Sequence, residues 1–86
     1  MYFVTIKRAG YALFSTTPSE RMAVGLTENQ KRLHLLLAEG KEWNVVREWP
    51  VEEVSHTDLM LALGKIEEPA DPLDVLKLLP PPQALQ

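Results

Sequence analysis

The sequence predicts an α+β domain: a three-stranded, antiparallel-type sheet covered by one long helix, in the element order ββααβαα. Three stretches carry that prediction. YFVTIK and YALFST, both rich in β-branched and aromatic residues, flank a glycine-containing turn near the N-terminus. Thr27 to Gly40, TENQKRLHLLLAEG, has a helix start and a helix stop in its own letters. Lys41 to Trp49, KEWNVVREW, alternates so that Trp43, Val45, Arg47 and Trp49 fall on one side of an extended chain.

Taken in order, residues 1–16 form a β-hairpin turning at Arg8-Ala9-Gly10. With Ala9-Gly10 as a two-residue turn, Ile6 sits opposite Leu13 and Val4 opposite Ser15; a slip of one residue would exchange the two faces. Thr17-Pro18-Ser19-Glu20 has the form of a helix cap with proline at the first helical position, which predicts a short helix from Pro18 to Val24 ended by Gly25. Thr27 with Gln30 three residues later repeats the capping logic. Gly40 lies where a left-handed residue closes a helix, so a helix is expected from Glu28 to Glu39. At about 100° per residue, Leu33, Leu36 and Leu37 form its buried stripe, with Leu26 in line. Leu35 falls on the charged side among Glu28, Lys31, Arg32 and Glu39.

Lys41 to Trp49 is the third strand, closed by Pro50. Ser55-His56-Thr57-Asp58 then opens a helix whose body, LMLALG, is apolar nearly all round, which implies burial on most sides. Residues 65–70 form a polar connector. Asp71-Pro72 starts a last short helix over 72–79, striped by Leu73, Leu76 and Leu79, and 80–86 are a proline-rich tail. Residues 1–79 are expected to make one small domain.

The charge is divided along the chain. Residues 1–47 hold seven basic and four acidic side chains, and residues 48–86 hold two and eight, so +3 and −6 sum to the net −3. The aromatic residues all precede residue 50. An acidic second half is a poor match for phosphate backbones, whose neutralisation by clustered Lys and Arg supplies most nonspecific affinity. The absence of cysteine removes thiol chemistry and thiolate zinc sites. No apolar run approaches the roughly 20 residues that span a bilayer, and a cytoplasmic location is expected.

The inventory for catalysis is thin. His34 is expected on the flank of the long helix as a solvated or structural residue. His56 and Asp58 are two neighbouring side chains at a helix start, short of the three or four ligands zinc needs. Glu52-Glu53 and Glu67-Glu68 are paired in sequence only, and adjacent side chains point in different directions. No phosphate loop, nucleophile elbow or zinc-protease motif occurs. The expectation is therefore a protein without catalytic residues, metal, cofactor or small-molecule substrate.

What remains is a protein-interaction module, a small regulator, adaptor or inhibitor of a larger protein or complex, with another protein or a second copy of itself as partner. Its candidate contact residues are Leu35, Trp43, Arg47, Trp49, Leu73, Leu76 and Leu79, since tryptophan and arginine are enriched at interface hot spots and a leucine-striped helix suits a groove. The alternative is a nucleic-acid-binding regulator using the basic first half through Lys31, Arg32 and Arg47, with Tyr11, Trp43 and Trp49 as stacking faces.

Overall fold

A computed structural model describes residues 3–66, and the expected connector and last helix fall almost wholly outside them. Strands β1 (Val4–Ile6), β2 (Tyr11–Thr16), β3 (Met22–Thr27), β4 (Arg32–Glu39) and β5 (Glu42–Pro50) are followed by a 3₁₀ turn at Val51–Glu53 and a helix α1 (His56–Ala62). The strands pair antiparallel with their neighbours in sequence, a five-stranded meander in the order β1-β2-β3-β4-β5. This overturns the three-stranded sheet under a long helix: among the described residues only α1 is α-helical.

Both supposed capping boxes are hairpin turns. Glu20 N–H donates to Thr17 O at 2.8 Å and Gln30 N–H to Thr27 O at 2.8 Å. Each turn then passes through a left-handed residue, Glu20 at φ 57° and Gln30 at φ 58°. The Thr27 hydroxyl donates to Asn29 Oδ1 at 2.6 Å, and Asn29 Oδ1 accepts Lys31 N–H at 3.0 Å, so the polar side chains satisfy a turn instead of a helix end. Gly40, at φ 63°, is the first of two residues between β4 and β5, where the favoured hairpin turns call for positive φ.

The leucine run became a strand because it lies in the interior of the sheet. β4 pairs with β3 from Met22↔Leu37 to Leu26↔Leu33 and with β5 from Arg32↔Pro50 to Glu39↔Glu42. Leu33 and Leu35 are buried on one face and Leu36 on the other. A strand buried on both sides reads as a continuous apolar run, so its period of two is invisible in the letters. The same applies to MAVGLT in β3, four of whose six residues are buried.

The first face carries the main core. Ser55 Oγ accepts the Asp58 N–H at 3.1 Å to start α1. The helix ends with Lys65 N–H donating to Met60 O and Gly64 N–H to Leu61 O, a Schellman closure with Gly64 at φ 70°. Leu59, Ala62 and Leu63 pack with Phe3, Val24, Leu26, Leu33, Leu35, Trp49 and Val54. A side chain at Gly64 would stand 2.6 Å from Phe3 Cβ, so the helix end closes directly on the start of the chain. Buried Ser15 donates to Leu63 O at 2.8 Å, tying β2 to the same point.

Registers differ from expectation in two places. Val4↔Thr16, Thr5↔Ser15 and Ile6↔Phe14 place the N-terminal hairpin one residue away from the two-residue-turn register, which exchanges its faces. In β5, Leu35 pairs with Arg47 but Leu36 pairs with Val45, so Val46 is a bulge. Trp43 and Val45 consequently share one face with Ala38 and Leu36, while Arg47 and Trp49 share the other with Leu35 and Leu33.

Candidate functional site

On the second face of the sheet the strands bring together residues that no motif connects. Phe14, Ala23 and Leu36 form a small buried cluster, with Tyr11 and Trp43 packed against it. Phe14 meets Tyr11 at a ring separation of 5.2 Å and Trp43 at 5.6 Å, and the Arg8 guanidinium stands 5.7 Å over its ring. Three strand spacings separate β2 from β5, about 14 Å on a flat sheet. Both rings therefore lean inward over the strands between them, and Phe14 has no exposed surface.

Gly25 makes room for this arrangement. A Cβ there would lie 2.5 Å from Tyr11 Cδ1, so the tyrosine ring from β2 rests on the bare backbone of β3. In that position it reaches β4, where Tyr11 Oη lies 2.8 Å from His34 Nδ1. His34 Nε2 lies 2.7 Å from Glu48 Oε2 on β5, and Glu48 Oε1 is 3.8 Å from Arg32 Nε. Burial pushes the Tyr11 hydroxyl above its usual pKa, Arg8 lowers it and Glu48 raises it. The Glu48 carboxylate can only accept, so Nε2–H of His34 donates to it.

Chemically this chain is a clasp that spans four strands, from β2 over β3 to β4 and β5. Both ring nitrogens of His34 are occupied by protein partners. His34 is thus a half-buried strand residue, not the flank of a helix. Nothing in sequence spacing joins Tyr11, His34 and Glu48; the signal that could have found them is the antiparallel register, which sets Phe14, Gly25, His34 and Glu48 in one row across the sheet. His56 is exposed, and among the described residues no three His, Asp or Glu side chains gather as metal ligands.

The expected contact residues separate. Leu35 is 3 % exposed and Trp49 2 % exposed, both in the main core beneath α1, because the chain around Leu35 is a strand and its side chain points to the helix-covered face. Trp43 is half-buried on the second face, and Arg47 is exposed on the outer strand. Leu73, Leu76 and Leu79 lie outside the described residues. Of the basic residues named for nucleic acid, Lys31 and Arg32 are exposed at the start of β4, and Arg32 lies beside Glu48. Arg47, opposite Leu35, is on the other face of the sheet. The three do not make one basic surface. No described helix is long and apolar enough to cross a membrane.

Both outer strands expose apolar side chains: Val45 is 43 % and Val46 38 % exposed on β5, Val4 is 43 % and Ile6 37 % exposed on β1, and Leu37 on β4, opposite Asn44, is 40 % exposed. Compared with known protein families, with curated proteins and with solved structures, the chain has no match.

Proposed function

We propose that this protein is a non-catalytic protein-interaction module, a small cytoplasmic regulator, adaptor or inhibitor that acts by contact with another protein. The observation that supports this best is β5: a nine-residue outer strand presenting Val45, Val46 and Arg47 to solvent beside half-buried Trp43. Tryptophan and arginine are the residue types over-represented where interfaces concentrate their binding energy. The titratable groups on the second face support the non-catalytic half of the proposal, since Tyr11, His34 and Glu48 satisfy one another.

The nucleic-acid alternative has weaker support, because its three basic residues are split between the two faces and Arg32 lies beside a carboxylate. A direct test is to isolate what the full chain retains from cells of its source, purify that species, and measure binding at about 50 and 200 mM salt. A protein partner whose affinity changes modestly over that range supports the proposal. A nucleic acid whose affinity falls by roughly three orders of magnitude or more, and which is lost on Arg32→Glu, overturns it.

A further inference from the structure

The two edges of the sheet are not alike. β1 is three residues long, is followed by Lys7 and Arg8, and has the end of the helical segment against it, where Lys65 Nζ donates to Thr5 Oγ1 at 3.4 Å and Gly64 abuts Phe3. Short length and positive charge are usual ways a sheet edge is protected from further pairing, and here they stand in for cover, since all three β1 residues are exposed. β5 runs for nine residues and, among the described residues, pairs on one side only, with β4. Its backbone donors and acceptors on the other side form a template for an added strand.

β5 also has a pattern that selects what is added. On the second face Trp43 and Val45 lie in one row along the edge, with Val45 open to solvent. On the first face Arg47 is exposed, and among the described residues it has no ion-pair or hydrogen-bond partner. A strand laid beside β5 would set its side chains against these, alternating between faces. The complement is an apolar residue beside Val45 and Trp43 on one face and an acidic residue beside Arg47 on the other. The bulge at Val46 twists the edge locally, itself a device that limits pairing with a long flat strand, so what the edge admits is a short segment.

We infer that the outer edge of β5, from Glu42 to Arg47, is the docking site for an extended segment of the partner protein, one that joins the sheet as a sixth strand and carries alternating apolar residues with a carboxylate opposite Arg47. This rests on the interaction-module proposal and names its mode. Backbone pairing supplies affinity in such contacts, and the alternating side-chain positions supply specificity.

The test uses the full chain and a randomised library of linear peptides displayed on phage. Peptides selected on the wild type are expected to be apolar-alternating and acidic, and on binding to slow hydrogen exchange of those amides between Glu42 and Arg47 that are not bonded to β4. Arg47→Glu is expected to weaken them at least about tenfold and to select basic peptides instead, while its thermal midpoint stays near wild type. Val45→Lys, a second exposed variant, should weaken the same peptides. Selected peptides that bind as helices, or that protect amides elsewhere, overturn the edge assignment and leave the interaction module standing. Protection of the outward-facing β5 amides, those not bonded to β4, in the free chain together with a dimeric solution mass overturns it in favour of a second copy, and the absence of any peptide sensitive to Arg47→Glu overturns it outright.

Discussion

Gly25→Ala isolates the feature that holds the second face together. The backbone at Gly25 is not left-handed, so alanine is tolerated there conformationally, and the conflict is with Tyr11, whose Cδ1 and Cε1 stand 2.5 and 2.6 Å from the new Cβ. Real contacts never come so close, and the ring must swing off β3. Doing so gives up the hydrogen bond to His34, about 1 kcal/mol net, and the ring contacts with Phe14 and His34, about 1 kcal/mol each. The Phe14 ring, 3.2 Å away, has only to yield by a few tenths of an ångström. Against this loss alanine stiffens the unfolded chain, a gain of about 0.4–1 kcal/mol. The expected net destabilisation is about 2 kcal/mol, or a thermal midpoint lower by roughly 8–16 °C for a domain of this size. Thermal and urea melts of Gly25→Ala, Tyr11→Ala and the double variant would measure it. With Tyr11 already truncated, Gly25→Ala should be neutral or slightly stabilising, so the coupling between the two sites should be about 2–3 kcal/mol. Equal destabilisation in both backgrounds would refute the view that glycine is there to seat the tyrosine.

Further outcomes follow from other parts of the fold. Gln30→Gly should leave stability unchanged or raise it by up to about 1 kcal/mol in urea melts, because it relieves a left-handed residue; in a helix the same change would cost about 1 kcal/mol, so the sign separates the turn from the helix. Ser15→Ala leaves the buried Leu63 carbonyl without its donor and should cost about 1–3 kcal/mol by urea denaturation; a loss below about 0.5 kcal/mol would mean that β2 is not anchored to the helix end in this way. The Tyr11 pKa is raised in the fold above its usual 10.0, so its contribution to stability is complete below pH 10 and lost as pH rises through the folded value. Thermal midpoints of Tyr11→Phe should therefore fall less steeply above pH 10 than those of wild type, and parallel curves would remove the tyrosine from the account. Val45→Lys should change stability by no more than about 0.5 kcal/mol, as expected of an exposed outer-strand position.

Several elements were legible in the letters because their determinants are local. The strand before Pro50, the Ser55-capped helix and its stop at Gly64 each depend on neighbours within a few residues, and each is where the sequence places it. The candidate site was far less legible. Trp43 and Arg47 could be singled out by residue type, but the assignment of Arg47 to the face opposite Trp43 depends on one extra residue at Val46, and nothing in the letters of β5 marks a bulge there. Tyr11, His34 and Glu48 are 23 and 14 residues apart and meet only through the pairing of strands.

By itself the sequence determined where regular structure breaks, but not whether a break is a helix start or a hairpin turn. Thr17 to Glu20, Thr27 to Gln30, Gly10 and Gly40 all interrupt regular structure, as their side chains and backbone freedom require. Only the tertiary structure decided what lies between those turns. Leu33 to Leu37 satisfies a helix stripe and a buried strand equally well, and intrinsic propensity distinguishes them by only tenths of a kcal/mol per residue. Burial of leucines on both faces, against β3 and β5 at once, outweighs that preference. Threonine followed three residues later by Glu or Gln is equally ambiguous, since the same side chains satisfy a helix start or a hairpin turn, and the neighbouring strands made the choice.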